Sequence, residues 1–159
     1  MSQSTDLEAR ITALEDIEAI TKLKSKYWRC VDGKLWDELS ECFSEDATTD
    51  YGPTKRVKGR KAIIDFFRER STVGRPSIIG VHHGHNPEIE LNAGNSAKGT
   101  WQLFHYTIDT QTNTGRRHAG SYSDEYVKEK SGWKIKSTQT INIFREEFDR
   151  ERQGLKLIQ

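Results

Sequence analysis

Residues 97–144, which read AKGTWQLFHYTIDTQTNTGRRHAGSYSDEYVKEKSGWKIKSTQTINIF, alternate apolar and polar side chains between short runs of turn-forming residues. Alternation with a period of two is typical of strands that bury one face. Turn signals at 112–115 and 131–132 divide the stretch, so we predict strands at 97–110, 116–128 and 133–144. Their spacing indicates an antiparallel meander.

The residues before this meander change from helical to strand patterning. Apolar side chains recur at three- and four-residue steps over the first thirty residues, which predicts one amphipathic helix. Further helices are predicted at 34–43 and 59–70, and short strands at 47–51, 77–83 and 87–91. Helices followed by a long-stranded sheet indicate an α+β fold.

Length and composition narrow the class of protein. The chain has 159 residues, a formal net charge of +1 and a hydrophobic fraction of 33%, and we expect a single domain over residues 1–159. The balanced charge argues against nucleic acid as a partner. The sequence has no apolar run of the ~20 residues needed for a membrane span and no export signal, so we expect no membrane association and a cytoplasmic location. Cys30 and Cys42 form no CxxC motif, which gives little support for a disulfide.

Histidine, aspartate and tyrosine side chains are the candidates for chemistry. His82 lies on a predicted strand, Asp32 and Tyr27 lie near the end of the first helix, and Tyr51 ends the first strand. A carboxylate can orient a histidine that removes a proton, and phenols can donate hydrogen bonds to a developing enolate oxygen. These types alone also fit a helix-ending turn at Asp32 and a core position at Tyr27.

Several motifs resemble those of SnoaL-like proteins in the nuclear transport factor 2-like (NTF2-like) superfamily, over about residues 10–148. Among members, the chain is most similar to bile-acid dehydratases and more distantly to scytalone dehydratase and hexachlorocyclohexane dehydrochlorinase. The resemblance rests on DIEAI (16–20), KYWRCVDGK (26–34), WDEL (36–39), GRKAI (59–63), HHGHNPEI (82–89), AKGTW (97–101) and SGWKI (131–135).

The resemblance implies a cone-shaped roll, in which N-terminal helices pack on a strongly curved mixed or antiparallel sheet that encloses a pocket. It also implies that His82 is the catalytic base and that Asp32 pairs with it. Tyr27 and Tyr51 match tyrosines of the dehydratase sites. His105 stands where the bile-acid enzymes have an aspartate.

The implied function is that of a cofactor-independent lyase, a dehydratase acting on a small hydrophobic cyclic or polycyclic hydroxy-carbonyl compound. His105 is expected to protonate the departing oxygen. Trp101, His118, Tyr122 and Asn142 are expected to contact the substrate, with Asn142 in place of a pocket arginine of the bile-acid enzymes. We expect no cofactor and no metal, and association into a homodimer or homotrimer.

Three alternatives remain open from the sequence. A metal enzyme could use His83 and His85 together with His105 or His118. A non-catalytic ligand-binding or assembly module could have the same fold, because fold does not fix function. An isomerase could use the same base as the proposed lyase.

Overall fold

The computed structural model describes residues 2–52, 56–71, 76–93 and 95–157, with side chains from residue 6 onward. Within these ranges the chain forms three helices and six strands. The helices are α1 (Ser2–Gly33), α2 (Trp36–Ser40) and α3 (Arg60–Glu69); the strands are β1 (Phe43–Asp50), β2 (Arg56–Lys58), β3 (Ile78–Asn92), β4 (Ser96–Asp109), β5 (Thr114–Glu129) and β6 (Gly132–Asp149).

The strands form one mixed sheet in the order β2-β1-β6-β5-β4-β3. The strands from β3 to β6 are a meander of antiparallel pairs, as predicted, and β1 runs parallel to β6. The sheet remains open, with α1 against β3 and β6 and α3 against β1. The predicted α+β cone is therefore confirmed. No helix in the described ranges has both the length and the apolar character required to span a bilayer.

Predicted boundaries are wrong at the junction of helix and sheet and at the end of the last strand. The second helix ends at Ser40 rather than at residue 43, because Phe43 begins β1 and pairs with Ile135 of β6. Both side chains are fully buried in the core, which favours the sheet over another helical turn. The last strand also continues beyond residue 144 to Asp149.

The segments 77–83 and 87–91 form a single strand, β3, rather than two. The pairing of β3 with β4 shifts register between His85 and Glu88. Asn86 lies there with a φ of 50°, a left-handed conformation that asparagine tolerates better than most residues. This irregularity accommodates one extra residue in β3, and pairing resumes beyond it.

Gly84 lets α1 approach β3 closely. A Cβ atom at this position would lie 1.9 Å from Cη2 of Trp28. The indole of Trp28 therefore occupies the space that any other side chain would take. The glycine in the HHGH motif thus serves helix-to-sheet packing, and the irregularity in β3 lies beyond it.

A buried ion pair joins α1 to the sheet. The Lys24 Nζ atom lies 2.6 Å from Asp124 Oδ2 on β5, and both side chains are fully buried. Asp124 also accepts hydrogen bonds from Tyr126 at 2.7 Å and from Thr138 at 2.6 Å. Its carboxylate is thus surrounded by donors, which is the condition under which a buried charge is tolerated.

The ammonium group of Lys24 also contacts aromatic rings on its other side. It lies 3.8 Å from the ring centroid of Tyr122 and 4.6 Å from that of Tyr27. A cation over an aromatic face is attracted by the ring quadrupole, most strongly where water is excluded. Lys24 therefore connects the ion pair to two tyrosines further along the cone.

The first turns of α1 extend away from this core. Leu7, Ile11 and Leu14 form the apolar stripe that predicted the helix, yet 47–67% of each side chain is exposed. The helix itself is present over the predicted range. Burial on the sheet begins only at Ile20, which is completely covered.

We expect Lys24→Met to lower the free energy of unfolding by about 3–5 kcal/mol, because it leaves the Asp124 carboxylate buried without a cation. The double variant Lys24→Met/Asp124→Asn should recover part of this loss, since no buried charge remains. Urea denaturation measures both changes.

The matched control is Lys22→Met, which removes an exposed ion pair with Glu18 one turn earlier on α1. It should change the free energy of unfolding by less than about 0.5 kcal/mol. Equal losses for the two lysine variants would contradict a structural role for the buried pair.

Candidate active site

A cavity of about 600 Å³ opens at the wide end of the cone. It lies between the C-terminal part of α1, α3 and the inner faces of β3 to β6. Apolar side chains share its wall with a larger number of titratable groups, and its volume is in the range of small-molecule sites. Lining residues in its inner part are Tyr27, Val31, Asp32, Tyr51, Phe66, Phe67, His82, Leu103, His105, His118 and Tyr122.

Asp32 and His82 are in direct contact in this cavity. Asp32 Oδ1 lies 2.5 Å from His82 Nδ1, and Asp32 Oδ2 accepts a hydrogen bond from the His82 backbone N–H at 2.9 Å. The carboxylate is thereby held at two points on β3. This double contact fixes the end of α1 against the sheet and orients the imidazole.

The contact determines which ring nitrogen of His82 can act as a base. An ionised carboxylate only accepts hydrogen bonds, so Nδ1 carries the hydrogen and Nε2 keeps its lone pair. The His82 side chain is 13% exposed and lines the cavity. A proton taken up at Nε2 would create an imidazolium that Asp32 stabilises.

Three histidines and an arginine face the cavity in one row across four strands. Strand register pairs His82 with His105, His105 with His118, and His118 with Arg145. The rings of His82 and His105 stack with their centroids 3.8 Å apart and an interplanar angle of 13°. Burial, reinforced by His82 beside it, lowers the pKa of His105 to about 3. The His105 imidazole is therefore neutral near pH 7.

Two phenols form a pair on the other side of the cavity. The hydroxyl oxygens of Tyr27 and Tyr51 lie 2.8 Å apart, so one donates to the other. Burial raises the pKa of both phenols well above the usual value, and both remain protonated. Because each phenol has one O–H and the pair uses one of them, the pair has a second hydrogen to donate.

The structure brings together most of the residues proposed from the sequence, although contact with a ligand remains a prediction. Of the residues expected to contact the substrate, His118 and Tyr122 line the cavity. The five residues proposed as catalytic also line it: His82, Asp32, Tyr27, Tyr51 and His105.

Trp101 and Asn142, which were also expected to contact the substrate, are not among the residues that line this cavity. Trp101 is buried towards the narrow end of the cone, where it packs against Trp28 and donates a hydrogen bond to Tyr126. Asn142 is exposed, and its carboxamide oxygen accepts a hydrogen bond from Arg145 at 3.0 Å. Strand alternation predicts which face of the sheet a side chain is on. It does not predict whether that side chain lines the open cavity, since the cone is filled at its narrow end.

The sequence analysis did not predict the role of Lys24 beside Tyr27 and Tyr122, nor the positively charged rim of the cavity. Lys24 falls on the apolar stripe of α1 between Ile20 and Tyr27, and a lysine at such a position signals a buried partner. Most arginines of the rim follow the predicted 112–115 turn or lie in the charged segment after residue 144, and Arg70 directly follows α3. The described cationic residues of the rim are Lys34, Arg70, Arg116, Arg117 and Arg145.

Asp32, His82 and His105 are also a group that could hold a metal ion, with ligand atoms within 4.8 Å of one another. The stacked rings are a poor match for it, because the lone pairs of parallel imidazoles run side by side and do not converge on one point. The metal set built on His83 and His85 is wrong, since both point to the outer face of β3, opposite to His82.

Comparison with known proteins identifies the same architecture. A family model described as a SnoaL-like domain matches residues 12–139. A scytalone dehydratase-like protein from Novosphingobium aromaticivorans superposes with a TM-score of 0.79 at 23% identity, covering 87% of this chain and 91% of that one.

Two further structures share the fold. The hexachlorocyclohexane dehydrochlorinase LinA-type3 from Novosphingobium barchaimii gives a TM-score of 0.81 at 18% identity, over 94% of this chain and 99% of that one. An NTF2-like protein with a cystatin-like fold from N. aromaticivorans gives 0.78 at 20% identity, over 90% and 92%. These likenesses support the fold, while the closer resemblance to bile-acid dehydratases stays a prediction.

The lowered pKa of His105 predicts that this residue makes a pH-dependent contribution to the free energy of unfolding. Below about pH 6.5 the unfolded chain protonates this histidine, whereas the folded protein does not until about pH 3. Its contribution is therefore present above pH 6.5 and is lost as pH falls from about 6.5 to about 3. The slope of this loss approaches about 1.4 kcal/mol per pH unit.

We expect His105→Gln to remove this contribution, so that its unfolding free energy falls less steeply with acid than that of the wild type. The control is His85→Gln on the outer face, which should leave the wild-type slope unchanged. Urea denaturation between pH 7 and 4 measures the slopes, and parallel profiles for wild type and His105→Gln would contradict a neutral buried His105.

Proposed function

Because the chain belongs to the SnoaL-like domain family of the NTF2-like superfamily, we propose that it is a lyase that needs no cofactor. The proposed reaction is the elimination of water from a small, largely apolar cyclic or polycyclic hydroxy-carbonyl compound. The observation that carries this proposal is the contact of Asp32 with His82 inside a closed-ended cavity.

His82 supplies the base. Its Nε2 atom removes a proton from the carbon next to the substrate carbonyl, and Asp32 stabilises the resulting imidazolium. A positioned general base of this kind contributes about 10²–10⁴-fold to the rate. The His82 and Asp32 side chains are 13% and 23% exposed, and this partial burial strengthens the electrostatic interaction between them.

The tyrosine pair supplies the hydrogen bond to the carbonyl oxygen. Negative charge develops on that oxygen as the proton leaves, and a donor placed there stabilises the transition state. The raised pKa values of Tyr27 and Tyr51 keep the hydrogen on oxygen. The pair therefore acts as a donor and does not compete with His82 for the proton.

The role first expected for His105 needs revision. With a pKa of about 3 the His105 imidazole is neutral near pH 7, so in our proposal it does not supply the proton to the leaving hydroxyl. In the revised scheme the proton taken by His82 returns to the departing hydroxide as the carbon–oxygen bond breaks. The products are then water and the unsaturated carbonyl compound, and His105 contributes an N–H donor and the face on which His82 stacks.

Two similar structures support the reaction class. One is named a dehydrochlorinase and the other is scytalone dehydratase-like, and both names denote eliminations. A purely structural or binding module would not need an oriented base in its cavity, whereas an isomerase would use the same His82 to move a proton. The identity of the product separates elimination from isomerisation.

A panel of cyclic β-hydroxy ketones and esters tests the proposal. The conjugated product is followed by its ultraviolet absorbance and identified by mass spectrometry as the loss of water. We expect His82→Ala and Asp32→Asn to lower kcat/KM by about 10²–10⁴-fold on any substrate that is turned over.

The matched control is His85→Ala, which changes a histidine on the outer face of the same strand and should retain wild-type turnover. Circular dichroism and thermal denaturation confirm that the variants fold. Turnover that survives in folded His82→Ala would overturn the mechanism, and a product of unchanged mass would replace elimination by isomerisation.

A further inference from the structure

The lining of the cavity has an excess of positive charge among its described residues. Its cations are Lys34, Arg70, Arg116, Arg117 and Arg145, and its carboxylates are Asp32, Glu146 and Glu147. Two of the carboxylates are already paired within the rim: Glu147 lies 2.5 Å from Arg116 and Glu146 lies 3.9 Å from Arg117. The third, Asp32, is bound to His82 at the inner end.

Arg145 differs from its neighbours on the rim. It donates a hydrogen bond from Nη2 to the neutral carboxamide oxygen of Asn142 at 3.0 Å. Within the described ranges no carboxylate lies within 4.0 Å of its guanidinium. A guanidinium has five N–H donors in a planar fork, so most of this donor set faces the cavity mouth without an anionic partner.

We propose that the ligand of this cavity carries a carboxylate, and that Arg145 binds it at the mouth. This inference rests on the proposed function, in which the other end of the ligand places its reacting carbon at His82. The proposed substrates are therefore hydroxy-carbonyl acids.

The row of paired residues gives the distance between the two ends. Arg145 lies three strands from His82 through His118 and His105. Neighbouring strands are about 4.8 Å apart, so the two Cα positions are separated by roughly 14 Å along the curved sheet. Both side chains project into the cavity and shorten that span to the length of a one- or two-ring molecule.

The charge distribution also determines the orientation. An anionic group at the inner end would approach the Asp32 carboxylate, whose charge is not cancelled while His82 is neutral. At the outer end it meets the guanidinium of Arg145, which matches a carboxylate in shape and charge. A ligand with one carboxylate therefore enters with its uncharged reacting end first.

Two pairs of probes test the site without any need for turnover: benzoate with benzamide, and 2-naphthoate with 2-naphthamide. Each pair has nearly the same shape and differs in charge. Isothermal titration calorimetry at low salt should show at least one acid bound about tenfold more tightly than its amide.

Arg145→Gln should weaken binding of that acid by about tenfold and change binding of its amide by less than about twofold. Arg145→Lys should keep part of the preference, since it keeps the charge and loses the fork. The control is Arg152→Gln, which removes the same charge from an exposed arginine paired with Asp149 outside the cavity lining and should leave the preference unchanged.

The assignment to Arg145 is overturned if neither acid binds more tightly than its amide, if Arg145→Gln weakens acid and amide equally, or if Arg70→Gln removes the preference while Arg145→Gln does not. The proposed function can fail separately. An inactive protein that keeps the acid preference would refute only the elimination, and an active one without the preference would refute only the anion site.

Discussion

The buried contact between Lys24 and Asp124 is the constraint on which the rest of the site depends. It fixes both the rotation of α1 and its position along the sheet, because both side chains are fully buried and 2.6 Å apart. Residues three, four, seven and eight positions later lie on the same helix face. Tyr27, Trp28 and Asp32 are therefore carried to the inner side of the sheet.

The placement of α1 also arranges the chemical groups in order along the cone. Core aromatics fill its narrow end, the tyrosine pair and the Asp32–His82 contact form the inner wall of the opening, and arginines surround the mouth. Burial disfavours the charged form of each group, so the phenols keep their hydrogens and His105 stays neutral. Within the row of histidines, His82 is in contact with the Asp32 carboxylate.

Much of this could be predicted from local patterns in the sequence. The periodicity of α1 and the alternation from residue 97 onward predicted the class of fold, and motif resemblance brought His82, Asp32, Tyr27, Tyr51 and His105 to one site. The sequence could not predict how deep along the cone an inward-facing side chain lies. Strand parity placed Trp101 on the inner face, but it could not indicate that the cone is filled at that level.

The sequence by itself determined the order of helices and strands and the residue types available for proton transfer, because these depend on periodicity and on intrinsic chemistry. Only the tertiary structure decided which of these groups touch. The His82–Asp32 contact joins residues 50 positions apart, and the row from His82 to Arg145 depends on the register of four strands. The low pKa of His105 likewise arises from burial and from neighbours on other strands, and these are properties of the folded chain.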